Sequence, residues 1–490
     1  MKRFWGILLC LCMLPTAASA ETFTVSYDGV DDSTGYALML DVDGTLLTER
    51  DQYQNIFCIS QGDCLSEKRL YAATPAMLAE APAEIPGSGE ASYDEYYRLA
   101  MVDALGNQLT GFDYLNLVHD AQSGVVVFTL PDRRQGVMDE NGNCLLEARY
   151  AAIVPNGEGG YLALAAPEAI ALDEETEYPI IYIDSQGRCF KTGYHTQIYG
   201  LGSFSHGFCA VTQVSEYNGQ TIYLDIEGTH CFDRSFTYGD SFYDNFAVVQ
   251  EAEDSGYSLI DKNGACATST SYDFIVSGLY NDSGVFIASC ADSFAVYDSE
   301  TGALLFEDTF EGTEYVNAWM ENQGLLRVNV GNETLLYRLP DGECLMRFGE
   351  GIEINGMYLL SSKDIPERLV KSEGDWPQQE SWLIDLEGND VGPHFQTLSP
   401  AAWQDGMGRY IFGTFKVVVT GSDGTPTIDW NSMRYGVCDE SGNILLEAHY
   451  SNVEALAMDR YWVRLGNRCG MVDSQGKWYF YIDDYESLVD

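Results

Sequence analysis

The sequence predicts an all-β protein made of tandem repeats of short antiparallel strands. A motif of two or three apolar residues followed by Asp-x-x-Gly recurs along nearly the whole 490-residue chain. Between its copies lie apolar and aromatic runs of about five residues, the usual length of a β-strand, separated by Gly, Asp and Asn. Self-similarity of this kind indicates a repeat architecture. The Asp of the motif is Asp41, Asp103, Asp139, Asp184, Asp225, Asp261, Asp385, Asp439 or Asp473, and two looser copies have Asp298 and Arg338 at this position.

Each of these eleven repeats follows one plan, which the copy around Asp439 shows. A strand runs into Asp439, whose carboxylate can accept a hydrogen bond from a backbone N–H two residues on. Gly442 supplies the positive φ that the fourth turn position needs. A second apolar strand leaves the turn, an aromatic-led segment begins at Tyr450, and a final strand closes the unit. We therefore expect three or four strands in each repeat.

The repeat length suggests two arrangements of the units. Successive turn residues lie 36 positions apart at Asp103 and Asp139, and about 43 apart on average, which is the size of a β-propeller blade. Ordinary rings have about four to eight blades, so eleven units fit one ring poorly. The sequence therefore allows a propeller-like arrangement or an open twisted array and does not decide between them.

The repeats resemble those of the bacterial WG-repeat family, whose copies read W-G-φ-φ-D-x-x-G, then Y-D, then F-x-x-G-φ-A-φ-V, with φ an apolar residue. Residues 435–442 and 469–476 match the first half of this pattern, and residues 204–211 match the second half. The signature Trp is replaced by Tyr435, Gln135 or Cys469, so the copies are divergent. The resemblance covers about residues 36–490. It implies an interaction or surface-exposed module and supplies no catalytic residue.

The first twenty residues have the features of a secretory signal. Lys2 and Arg3 precede an apolar run that is too short to span a bilayer, and small residues end the segment at Ala20. We expect cleavage after Ala20, a secreted or extracytoplasmic protein, and residues 21–490 as the repeat array. No later stretch reaches the roughly 18 apolar residues of a membrane span, so no membrane insertion is expected.

The charge of the chain argues against two classes of binding partner. The formal net charge is −49, and a field of that sign repels nucleic acid and anionic lipid. A solvated, strongly acidic surface is the simplest interpretation of the charge. Calcium binding and attraction to a cationic partner are the alternatives.

The cysteines do not form a compact disulfide pattern. Five of them recur two or three residues after the turn glycine, which predicts small apolar core positions and buried free thiols. After residue 20, Cys58 and Cys64 are the only close pair and are a plausible local disulfide. The recurring cysteines are Cys144, Cys189, Cys231, Cys266 and Cys344.

One segment has the appearance of an enzyme motif. Residues 40–46 contain Asp41-Val-Asp43-Gly-Thr, which looks like the first motif of haloacid-dehalogenase-type phosphatases. There Asp41 would attack phosphorus, Asp43 would act as acid or base, and Mg²⁺ would neutralise the phosphate. However, Asp41 lies in register with ten other turns, and no helix pattern follows. A calcium loop also fits poorly, because glycine is fourth and not sixth. We expect a structural turn, no enzyme, no metal and no cofactor.

Insertions between repeats are the candidate binding elements. They lie at residues 80–93, 166–178, 365–380 and 421–433, where we place the connection between the last strand of one unit and the first of the next. Two of them carry exposed candidates for an aromatic anchor, Trp376 and Trp430. We therefore expect a non-catalytic scaffold for protein or ligand binding at or outside the cell envelope. A glycan-binding module that uses exposed aromatic residues is the alternative, in addition to the phosphatase.

Overall fold

The computed structural model describes most of the chain after the first 21 residues. The described ranges are 22–28, 35–60, 69–75, 98–166, 176–213, 219–277, 284–313, 316–322, 324–349, 352–355, 368–374, 377–401, 408–419, 426–457 and 459–483. These residues contain strands and turns and no helix, so none of their elements is a helix long and apolar enough to cross a membrane. The predicted signal segment lies outside them and stays a prediction.

The first twelve strands form two sheets, and every neighbouring pair is antiparallel. One sheet has five strands in chain order, and the other has seven. The strands are β1 (Thr22–Asp28), β2 (Gly35–Asp41), β3 (Tyr53–Cys58), β4 (Leu70–Pro75), β5 (Ala100–Asp103), β6 (Asn116–Asp120), β7 (Val125–Thr129), β8 (Gln135–Asp139), β9 (Cys144–Pro155), β10 (Tyr161–Ala165), β11 (Tyr178–Ile183) and β12 (Cys189–Thr196).

The remaining strands form seven smaller antiparallel sheets, two of three strands and five of four. The three-stranded sheets contain β13 (Leu201–Ser205), β14 (Phe208–Gln213), β15 (Gln220–Asp225), and β16 (Tyr238–Gly239), β17 (Phe246–Gln250), β18 (Tyr257–Asp261). The first three four-stranded sheets contain β19 (Phe274–Ser277), β20 (Val285–Ser289), β21 (Ser293–Asp298), β22 (Leu304–Thr309), β23 (Val316–Asn322), β24 (Leu325–Val330), β25 (Glu333–Arg338), β26 (Cys344–Phe348), β27 (Ile352–Asn355), β28 (Leu369–Glu373), β29 (Glu380–Ile384) and β30 (Asp390–Phe395). The last two contain β31 (Thr397–Pro400), β32 (Arg409–Val419), β33 (Pro426–Asp439), β34 (Ile444–Tyr450), β35 (Asn452–Ala457), β36 (Arg460–Leu465), β37 (Arg468–Val472) and β38 (Trp478–Asp483).

Eleven units, one for each sequence repeat, make up these sheets. The five-stranded sheet holds units 1 and 2, which meet at the single pair Ala37–Tyr53. The seven-stranded sheet holds units 3 and 4, which share the long strand β9. Units 5 to 11 are the seven smaller sheets, and isolated bridges at His230 and Cys266 mark the fourth strands of units 5 and 6. The predicted fold class is confirmed: the protein is all-β, with tandem repeats of short antiparallel strands, and no sheet of the described residues closes into a barrel.

The sheet and the sequence repeat are offset by two strands. Within a complete sheet the strand that ends in the turn Asp is third, whereas the sequence repeat begins with it. The insertion at residues 80–93, outside the described ranges, therefore joins β4 to β5 within one unit, and 166–178 joins β10 to β11. In terms of the sequence repeat, which begins with the Asp strand, both segments still connect the last strand of one repeat to the first strand of the next. Residues 365–380 also include β28, and most of 421–433 belongs to β33, so neither segment is wholly a loop.

The core lies between units, because each strand sends alternate side chains to its two neighbouring units. In β7, Val126 and Phe128 pack towards unit 2, whereas Val125 and Val127 pack towards unit 4. Strands buried on both faces are nearly continuous in apolar residues, which is why the motif reads as apolar runs and not as a clean alternation. Neighbouring units are joined in this way from unit 1 through unit 11.

A further buried cluster joins the last unit to the first. Leu38 and Leu40 of unit 1 pack with Trp462 and Met471 of unit 11. The indole Nε1 of Trp462 donates to the Ser26 carbonyl over 3.1 Å. Eleven clusters therefore lie between the eleven units in the described residues. An open row of eleven units, with two free ends, would have only ten junctions. This contact favours the propeller-like arrangement of the two that the sequence allows.

Candidate functional site

The carboxylate of each Asp in an Asp-x-x-Gly turn accepts hydrogen bonds from backbone N–H groups of the same turn. Asp139 Oδ1 accepts hydrogen bonds from the N–H groups of Asn141 and Asn143, at 2.9 and 2.8 Å. Its Oδ2 accepts from the Asn143 side chain over 2.8 Å, and these bonds hold the pKa of Asp139 below its usual value. Gly142 closes the turn at φ 84°, a value that other residues rarely adopt. The same pair of backbone bonds to Oδ1 recurs at all nine Asp-x-x-Gly turns.

Asp41 has the geometry of a repeat turn. Its Oδ1 accepts from the backbone N–H of Asp43 over 3.0 Å and of Thr45 over 2.8 Å. A phosphatase nucleophile must instead aim that oxygen at an incoming phosphorus. Asp43 contributes its backbone N–H to this turn. No group of three or more His, Cys, Asp or Glu residues among those described is arranged to hold a metal ion.

A Ser–His–Asp set that the sequence analysis did not connect joins units 5 and 6. Ser205 Oγ lies 3.0 Å from His206 Nδ1, and His206 Nε2 lies 3.6 Å from Asp244 Oδ1. The hydroxyl has one proton, which it donates to the Phe242 carbonyl, since a carbonyl only accepts. Ser205 therefore accepts a hydrogen bond from His206 and is not primed as a nucleophile. Asp244 also accepts from Ser299, so the set is a polar bridge between three successive units.

The recurring cysteines are not core residues. Cys144, Cys189, Cys266 and Cys344 are exposed and Cys231 is half-buried, so the prediction of buried positions was wrong. Their slot lies where the chain leaves the Asp turn, at the start of the fourth strand, and there it pairs with the third strand only; in β9 the second pairing, with β10, begins at Tyr150. All five are free thiols, as expected. Cys64 lies outside the described residues, so its pairing with Cys58 stays a prediction.

The two ends of the units differ in chemistry. At one end, which we call the turn face, the Asp turns of neighbouring units abut: a Cβ on Gly142 would lie 2.8 Å from Thr110, and one on Gly442 would lie 2.6 Å from Pro393. The other end, where the third strand of each unit begins, we call the far face. Exposed aromatic side chains lie there, at Tyr199 (77 % exposed), Tyr238 (44 %), Phe274 (56 %) and Trp430 (64 %).

Three aromatic residues form a cluster on the far face at the junction of units 6 and 7, in which two rings are exposed and the middle one is half-buried. Tyr238, Tyr257 and Phe274 are the first residues of β16, β18 and β19. The ring centroids of Tyr238 and Tyr257 lie 5.6 Å apart, and those of Tyr257 and Phe274 lie 6.5 Å apart. We call these residues the ring cluster. The sequence contains one signal for this cluster. Adjacent residues of a strand point to opposite faces, so one of Phe274 and Ile275 must point away from the core, but the alternation alone does not say which one.

The Trp430 candidate lies on an extended hairpin. Beyond the four-stranded sheet of unit 10, strands β32 and β33 continue as a two-stranded arm in which Lys416 pairs with Asp429 and Val419 with Pro426. Trp430 and Val417 are exposed along this arm. The second candidate, Trp376, lies outside the described residues, so its role stays a prediction.

One family model matches part of the chain. The model of the family described as "WG containing repeat" matches residues 435–469. No curated protein matches the chain. Solved structures with some likeness include BamB from Moraxella catarrhalis, with 10% identity over 64% of this chain and 95% of that chain and a TM-score of 0.26. They also include a eukaryotic initiation factor (10% identity, 79% and 94%, TM-score 0.34) and the computationally designed Ika8 protein (17%, 59% and 87%, TM-score 0.25). The segment at residues 435–469, which contains the turn of Asp439, therefore matches a WG repeat.

Proposed function

We propose that this protein is a secreted, non-catalytic binding scaffold that holds a protein or ligand partner on its far face, at or outside the cell envelope. The observation that carries the proposal is the difference between the two ends of the units. The turn carboxylates are engaged by their own backbone, whereas large aromatic side chains are exposed at the far face. Exposed aromatic residues supply much of the binding energy of protein interfaces.

The arm of unit 10 supports this assignment. A Trp at 64 % exposure costs free energy in water, and a binding partner would recover that cost by burying the ring. The same arm presents Val417 and Val418, which are 40 % and 36 % exposed. The apolar side chains therefore extend along one protruding element and are not scattered singly over the surface.

The test compares two exposed apolar side chains from opposite faces. Leu105 lies in the Asp turn of unit 2 and is 62 % exposed, so it matches Trp430 in exposure. Trp430→Ser should weaken capture of a partner from envelope and host-surface extracts by about thirtyfold, the loss of a typical interface anchor of about 2 kcal/mol. Leu105→Ser should leave capture unchanged. Equal capture by both variants, or a loss confined to Leu105→Ser, would overturn the proposal.

A phosphatase at Asp41 is the alternative from another class, and it is tested separately. The repeat-turn geometry of Asp41 is the reason for expecting no activity. The purified protein should not hydrolyse an aryl phosphate in the presence of Mg²⁺, and Asp41→Asn should change nothing in that assay. A Mg²⁺-dependent turnover that Asp41→Asn abolishes would replace the scaffold by an enzyme.

A glycan ligand is the second candidate on the same face. It is favoured by Tyr199, whose ring is 77 % exposed and could stack on a sugar. Binding of neutral oligosaccharides that Tyr199→Ser abolishes, with Leu105→Ser as the control, would support it.

A further inference from the structure

We propose that the ring cluster of Tyr238, Tyr257 and Phe274 binds a Lys- or Arg-bearing segment of a basic protein partner. This inference rests on the proposed function, because it names the chemistry of a partner at the same face. Four observations lead to it: the arrangement of the rings, the carboxylates beside them, the placement of the chain's own cations, and the net charge.

The rings are arranged so that aromatic faces are presented in more than one direction. The planes of Tyr238 and Tyr257 meet at 84°, and those of Tyr257 and Phe274 meet at 83°. The face of an aromatic ring is electron-rich and attracts an ammonium or guanidinium group within about 6 Å of its centroid. Phe274 is 56 % exposed, so a cation from solution can reach it.

The turn between β17 and β18 carries carboxylates and lies at the same end of the strands as the rings. Gln250, the last residue of β17, pairs in register with both Tyr238 and Tyr257. Its side-chain amide donates to the carbonyls of Glu253, over 3.3 Å, and Ser255, over 2.6 Å, which fixes the conformation of the turn. The turn also carries Asp254. Glu253 and Asp254 are exposed, and among the described residues neither takes part in an ion pair.

The cation nearest along the chain is already engaged elsewhere. The guanidinium of Arg234 lies 4.9 Å from the ring centroid of Phe236 and 2.6 Å from Glu251. Within the described part of the chain, no cation lies over Tyr257 or Phe274. The ring of Phe274, which is the exposed one of the two, can therefore take an external cation. The net charge of −49 would draw a basic partner towards the protein from a distance.

A basic segment fits this site better than a neutral glycan. Rings at right angles do not form the flat platform on which a sugar lies, and the flanking carboxylates add attraction only for a positive charge. A peptide with several Lys or Arg residues could place one cation on Phe274 and others beside Glu253 and Asp254. We therefore commit to a basic protein segment and treat glycan binding as an outcome of the test.

The test uses the intact protein and a peptide of twelve residues in which Lys and Gly alternate. Titration calorimetry or fluorescence anisotropy should show binding that weakens as salt rises. Phe274→Ala should weaken binding by about fivefold or more, in the range of an exposed to partly desolvated cation–π contact. The pair Glu253→Gln and Asp254→Asn should weaken binding and flatten its salt dependence. Phe190→Ala, which removes a ring that is 48 % exposed on unit 4, is the matched control and should bind as the parent does.

The outcomes separate the inference from the proposed function. Peptide binding that is absent, or equal in Phe274→Ala and Phe190→Ala, overturns the inference and assigns any affinity to net charge alone. Binding of a neutral oligosaccharide that Phe274→Ala abolishes also overturns it, in favour of a glycan. Both results leave the far-face scaffold standing, since that proposal fails if Trp430→Ser and Leu105→Ser capture partners equally or if only Leu105→Ser loses capture. Circular dichroism of each variant confirms that these exposed substitutions leave the fold intact.

Discussion

Replacing Met471 by Ala should show whether the last unit is packed against the first. Met471 lies two residues before its turn Asp, is 0 % exposed, and belongs to the cluster between units 11 and 1. Met101 occupies the same position in unit 2, is also 0 % exposed, and belongs to the cluster between units 2 and 3. Met101 therefore packs against a unit that is next to its own in sequence, whereas Met471 packs against the unit at the other end of the chain.

The magnitude follows from the burial of the two side chains. Truncating a fully buried Met to Ala costs about 2–5 kcal/mol, because apolar transfer is lost and a cavity remains. If units 11 and 1 are in contact, Met471→Ala should lower the free energy of unfolding by about as much as Met101→Ala. If unit 11 had no such neighbour, Met471 would face solvent and its replacement would change stability by about 0.5 kcal/mol or less.

Urea unfolding, followed by circular dichroism and by Trp fluorescence, measures both variants against the parent protein. Similar decreases in the two unfolding midpoints are the expected result. A midpoint for Met471→Ala that stays at the parent value, while Met101→Ala shifts clearly, would refute the contact between units 11 and 1.

Three further predictions concern turns and thiols. Gly44→Ala should destabilise more than Gly187→Ala in urea unfolding: both have positive φ, but a Cβ on Gly44 would meet unit 11 at 3.1 Å, whereas one on Gly187 meets nothing within 4 Å. The pKa of Asp139 is lowered by its hydrogen bonds, so its stabilising effect is present above about pH 4 and lost as pH falls through the folded pKa; the stability difference between the parent and Asp139→Ala should therefore be larger at pH 7 than at pH 3, and a constant difference would contradict this. Alkylation of the native protein, read by mass spectrometry, should label exposed Cys144 and spare Cys209, because burial shields that thiol and raises its pKa; equal labelling would contradict the burial.

Local turn chemistry made much of the fold predictable from the sequence. The Asp-x-x-Gly motif encodes two backbone hydrogen bonds and one positive φ, all within five residues, so every copy could be found without knowledge of the rest of the chain. Because the motif is local, the sequence also identified Asp41 as one of these repeat turns.

Features that depend on distant residues could not be predicted in this way. The contact of Leu38 with Met471 joins residues more than four hundred positions apart, and nothing in either segment indicates the other. The cysteine slot was misassigned because apolar spacing does not show that the start of the fourth strand pairs on one side only, where Cys144 is exposed. The ring cluster was missed because Tyr238 and Phe274 come together only through the packing of two units.

In the proposed function the partner binds to the far face and not to the turn face. Amide hydrogen exchange of the protein with and without a captured partner, read by mass spectrometry, tests it most directly. We expect slower exchange in peptides that contain Tyr238, Tyr257, Phe274 or Trp430, with no change at the turns of Asp103 and Asp139. Protection confined to the Asp-x-x-Gly turns, with unchanged exchange at the far face, would contradict it.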